Sequence, residues 1–173
     1  MTSDQTSQTG SERHLLEATL DRNRDAVLAA LSGLPDSAAR VQLVPSLTTP
    51  LSLIKHCAAA ERIWFQRTLA GLPEYRCDGY AVGDDKSWYL DDSDTFDSVI
   101  AEYGRARTLS DDIAARYSLD YRARHYRRGH ASLRWIYLHM IEEFARHAGH
   151  ADIISEQIRD TTERDGGAPE FSG

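Results

Sequence analysis

Three ionisable residues, His56, Glu143 and His147, fall on the apolar faces of stretches with helical periodicity. A buried polar group is costly without a partner, so such positions are where chemistry is sought first. On a wheel of about 100° per residue, Glu143 and His147 lie about 20° either side of the apolar direction set by Ile136 and Ile154. Both side chains therefore aim into the core one turn apart and can reach a common ion. His56 shares a face with Leu53, Ala60 and Ile63 on a separate stretch. An i, i+4 pair with one distant ligand is the pattern of a catalytic metal site that keeps a position open for water or substrate. The plainer reading is of hydrogen-bonded core residues, with Glu143 and His147 paired to each other. His150, at i+3 from His147, is a rival ligand, or a general base or substrate contact. His139 lies one turn before Glu143, and His14, His125 and His130 read as surface residues.

The positioning elements follow from periodicity and punctuation. A first helix runs from about His14 to Leu31 on the stripe Leu16, Leu20, Val27 and Leu31, and Gly33 and Pro35 end it. A second opens at Thr49-Pro50, a cap followed by a first-turn proline, and stops at Gly71-Leu72-Pro73. A long loop over 72–92 follows, rich in Tyr and Trp, a length that often marks a functional lid. The third helix starts at Asp94, supported by Asp97, and ends near Tyr117. After the basic stretch Tyr121–Arg128, Ser132 caps a fourth helix that runs to about Ile158. No strand is expected, because Gln42-Leu43-Val44 is short and is cut off by Pro45. The pattern predicts an all-α four-helix bundle over residues 12–160, with crossover connections near 34–49 and 72–92. Residues 1–11 are expected to be a disordered tail and 161–173 a flexible one.

Composition narrows the function classes. The 173 residues are 41% hydrophobic and 27% charged, enough apolar material for one core. A net charge of −7 argues against general nucleic-acid binding, which favours a basic face. No apolar run approaches a bilayer span or a signal peptide, so a soluble, cytoplasmic protein without membrane partners is expected. Cys57 reads as a small buried filler, and a free thiol at Cys77 fits a reducing compartment. Serine-nucleophile, Walker-type and dinucleotide signatures are missing.

The stretch Leu53–Phe65, with His56, resembles the second helix of DinB-like metal-binding four-helix-bundle proteins. Ser132–Asp152, with Glu143 and His147, is similar to the last helix of their mycothiol-transferase branch. With the third helix the resemblance spans about 14–160. It implies a DinB-like bundle, often a homodimer, and a divalent metal held by one histidine of helix two and an i, i+4 pair of the last helix. Many members use His-xxx-His for that pair; here the first position is Glu143, as in the related mycothiol-dependent maleylpyruvate isomerases. Zinc fits best, and nickel or iron also suit the mixed donor set. The implied activity joins a low-molecular-weight thiol, mycothiol, to an electrophilic small molecule.

In that reading Arg122, Arg124, Arg127, Arg128 and Arg134 could hold acidic groups of substrates, although a solvated basic loop is the plainer account of most of them. Arg134 and Trp135, which open the last helix, are the better substrate contacts, and Trp88 is a lid candidate. Two readings compete with the enzyme: a metal-binding stress-response or interaction protein without catalysis, and a purely structural bundle that dimerises. His56 turned to solvent, away from Glu143, would mark the last.

Overall fold

The computed structural model describes residues 8–125, 127 and 129–166. Tyr126 and Arg128 of the basic stretch and the outer parts of both tails lie outside these. Four long helices carry the architecture: α1 (Glu12–Leu31), α2 (Pro50–Glu61), α3 (Phe96–Ala114) and α4 (Leu133–Gly166). α1 packs chiefly on α4 and α2 on α3, with α2 also against α4, which gives the expected all-α bundle.

Local chemistry explains the helix starts. Ser11 Oγ accepts from His14 N–H to begin α1. Thr49 and Ser52 exchange side-chain and backbone hydrogen bonds at 2.8 and 3.1 Å, with Pro50 at the first helical position of α2. α3 begins one residue later than its sequence suggested. Its cap is Thr95, in the same reciprocal arrangement with Ser98. Asp94 is unavailable as a cap because its carboxylate accepts from Lys55 Nζ at 2.5 Å and from Asp91 N–H at 2.8 Å. Ser132 Oγ accepts from Trp135 N–H to open α4, which continues past Ile158 to Gly166.

Two features depart from the sequence reading. First, the basic stretch holds an antiparallel hairpin, β1 (Arg122–His125) and β2 (Gly129–Ser132), where no strand was expected. Ala123 and His125 point inward and Arg122 and Arg124 outward, and Gly129 takes the positive φ that follows the turn. Leu133 N–H to Tyr121 O and Arg134 N–H to Leu119 O tie the hairpin to the start of α4. Second, α2 continues as a π-helix over Arg62–Leu69, closed by Ala70 N–H to Phe65 O. Such wide turns are rare and often lie at functional sites.

The π segment anchors the long loop. Asp78 Oδ1 accepts from Arg62 Nε at 2.8 Å and Gln66 Nε2 at 2.7 Å, and Arg67 Nη1 donates to Ala81 O at 2.7 Å. Gly79 lies flat on the Arg62 guanidinium: a Cβ there would sit 2.5 Å from Arg62 Cζ. The loop is thereby fixed across the bundle.

The core is built from Leu20, Leu53, Phe65, Val99, Leu133, Ile136, Met140 and Phe144, all fully or almost fully buried. Within it, Arg24 and Glu61 are 1% and 0% exposed and form a two-pronged ion pair at 2.7 and 2.8 Å. Arg24 reaches out to Asp21 and Asp111 as well. Removing one partner of a buried pair strands the other charge. Glu61→Ala is therefore expected to lower the unfolding free energy by roughly 3–5 kcal/mol in urea titrations. A loss of about 1 kcal/mol or less, the size of an exposed pair, would contradict this reading of Arg24–Glu61.

Candidate metal centre

α2 and α4 bring His56, Glu143 and His147 together, as their helical faces required. One ligand atom from each lies within 4.8 Å of the other two. Glu143 Oε1 stands 3.3 Å from His56 Nε2 and 3.2 Å from His147 Nε2. His147 is buried, while His56 and Glu143 are half-buried. His56 therefore does not turn to solvent, which removes the sign that would have marked a purely structural bundle.

The proton bookkeeping around His56 is informative. Ser87 Oγ donates its one hydroxyl proton to Asp84 O at 2.9 Å and contacts His56 Nδ1 at 2.9 Å. Nδ1 must then carry the hydrogen and donate it to Ser87. In the neutral ring, Nε2 is consequently an acceptor that faces another acceptor, Glu143 Oε1. A proton or a cation between them resolves the conflict. The two Glu143 distances suit a cation, since two N or O donors about 2.0–2.1 Å from a tetrahedral ion are about 3.3 Å apart, and the three ligand atoms lie within 4.8 Å of one another. The donor set of two imidazoles and one carboxylate is a common one for a catalytic zinc.

The surrounding residues orient these groups. Arg146 Nη1 holds Glu143 Oε2 at 2.9 Å, which leaves Oε1 for the two histidines. The close contact with His147, then that with His56, holds the Glu143 carboxyl far below the usual carboxylate range. His150 meets His147 from behind, Nδ1 to Nδ1 at 3.4 Å, and is not one of the three converging groups. Partial burial, and then the neighbouring His147, lower the His150 imidazole. Trp88 stacks on His56 with ring centroids 4.0 Å apart and planes 12° apart, and it meets the edge of His147. The loop thus lays an indole against the site, where a lid was expected.

One cavity, of about 340 Å³, adjoins the cluster and is bordered by His56, Glu143, Trp88, Asp84, Asp85 and His139. A second, of about 580 Å³, lies beside the hairpin and is bordered by Arg122, His130, Arg134 and Trp135. Trp64 and His125 border both. Arg134 and Trp135 are therefore at the hairpin cavity rather than beside the three ligands. Arg134 is held by Glu12 at 2.6 and 3.1 Å and by Asp120. His125 is a correction: read as a surface residue, it is 7% exposed because the strand turns it inward. Ser87 was missed outright, since a serine in an irregular loop carries no periodic signal. Cys57 is buried, as its apolar setting suggested, and burial pushes its thiol well up, away from reactivity.

No helix among the described residues is long and apolar enough to cross a membrane. No curated protein matches the chain. A family model, Mycothiol-S-transferase (MST), matches residues 15–160, a span that holds all three converging residues, Ser87 and both cavities. By that match the chain belongs to the mycothiol-S-transferase family.

Proposed function

We propose that the protein joins the thiol of mycothiol to an electrophilic carbon of a small molecule, at a divalent metal held by His56, Glu143 and His147. The observation that carries this is the acceptor-to-acceptor approach of His56 Nε2 and Glu143 Oε1 at 3.3 Å, with His147 Nε2 at 3.2 Å from the same oxygen. Zinc suits the set best, with nickel and iron as the other ions it accommodates. A bound metal would supply a lowered thiol pKa, so that thiolate is present near neutral pH.

The protein's own groups have distinct tasks in this reading. Ser87 fixes the His56 tautomer that leaves Nε2 free to ligate. Arg146 holds the outer oxygen of Glu143, and His150 braces His147 through its far nitrogen, a positioning role rather than that of a ligand. Trp88 covers His56 and keeps water from that side. The cavity beside the cluster receives the thiol, and Asp84 and Asp85 on its wall can accept hydrogen bonds from the polar body of the cofactor. With a halide electrophile, a carbon–sulfur bond forms as the carbon–halogen bond breaks, and the thiol proton and halide leave to solvent.

Zinc-loaded protein mixed with mycothiol and 1-chloro-2,4-dinitrobenzene should form the S-conjugate well above the background rate. Glu143→Ala should lose that activity while keeping its helical circular dichroism. Conjugation at the background rate with every electrophile tried, despite bound zinc, would leave a metal-binding protein without catalysis.

A second expectation concerns Ser87. Loss of a group that orients a ligating histidine typically weakens a metal site about 10–100-fold. Ser87→Ala should shift zinc affinity by that amount in competition with a chromophoric chelator. Unchanged affinity would remove Ser87 from the account.

A further inference from the structure

The larger of the two cavities has no part in holding the thiol. It is bordered by β1, β2 and the first turn of α4, and its volume of about 580 Å³ is in the range of small-molecule sites. Its walls are of two kinds. Trp64 and Trp135 supply aromatic surface, with ring centroids 5.2 Å apart and planes tilted by 55°. Trp135 stacks on His139 with planes 7° apart and is still 46% exposed, so part of its indole remains open to a ligand. The hairpin supplies charge: strand alternation puts Arg122 on the outward face, opposite Ser132 in register and diagonal to His130. Arg134 is also there, but Glu12 and Asp120 neutralise it. The Arg122 side chain has no hydrogen bond or ion pair among the described residues, and neither does that of His130.

We propose that this cavity binds the electrophilic substrate, and that it selects a flat monoanion. Its carboxylate is held by Arg122, and its planar apolar body lies against Trp64 and Trp135. Arginine matches a carboxylate with two parallel hydrogen bonds, and indole faces favour flat apolar groups. One unpaired guanidinium, in a cavity whose other arginine is already paired with Glu12 and Asp120, favours a single negative charge over a phosphate dianion. Trp64 and His125 border both cavities, so the two meet at these side chains, where an electrophilic carbon can face the thiol. Only the word substrate rests on the thiol-transfer reading; the anion site is argued from Arg122 and the two indoles.

Calorimetry on the full chain, free of metal and thiol, separates the two claims. The probes are trans-cinnamate and its neutral analogue cinnamamide. Cinnamate should bind at least about tenfold more tightly, the size of a charge-assisted hydrogen bond. Arg122→Gln should bring the two within about twofold of each other, whereas Trp135→Ala should weaken both by a similar factor. Equal binding of the two probes, binding of neither, or an intact preference in Arg122→Gln would overturn the proposal. Displacement of cinnamate by millimolar inorganic phosphate would overturn the choice of a monoanion. Because neither metal nor thiol is present, absence of conjugating activity would count against the transferase reading alone.

Discussion

A carboxylate wedged between two imidazoles, partly out of water, has to be compensated. Glu143 Oε1 lies within 3.3 Å of His56 Nε2 and His147 Nε2, and Ser87 has already used the Nδ1 proton of His56. In a helical bundle such a group would ordinarily be replaced by an apolar residue, because desolvated charge is costly and gives little stability in return. A proton or a cation at that point compensates it, and a cation is the occupant proposed above. The identities of Ser87, Arg146, His150 and Trp88 follow, since each fixes one atom or one face of the three converging groups.

The scaffold serves that constraint from two sides. α4 supplies Glu143 and His147 from one helical face, a rigid arrangement because the i, i+4 spacing is set by the helix itself. α2 supplies His56, and its π-helical continuation supplies the polar side chains that pin the loop carrying Ser87 and Trp88. Glu61 sits at the junction of these two segments, and its ion pair with Arg24 locks the junction to α1. The buried charges of the core thus lie next to the elements that aim the site. A site built on helices holds its groups more narrowly than one built on loops, and here the one loop involved is itself bolted to a helix.

The three converging residues were legible because helical periodicity reports direction. The apolar stripes of α2 and α4 are regular, so an ionisable residue on either one stands out against leucine and isoleucine. Helix starts at Thr49 and Ser132 were legible for the same local reason. Asp94 was not, because its carboxylate is claimed by Lys55 from α2, a partner that proximity in sequence cannot reveal. Arg134 shows the same limit: Glu12, which neutralises it, lies at the opposite end of the described chain. The hairpin escaped because its inward positions are only Ala123, His125 and Ala131 among arginines, too few for a period-two signal. The π segment escaped because a wider turn changes the hydrogen-bond partner without changing the composition.

One divalent cation is proposed to bind where the three side chains meet, and elemental analysis of untagged protein, alongside His56→Ala and His147→Ala, measures it. Near-stoichiometric metal is expected in the parent protein and its loss in both variants, each retaining the helical circular dichroism of the bundle. A parent protein that stays metal-free after exposure to zinc and nickel, or variants that keep their metal, would contradict it.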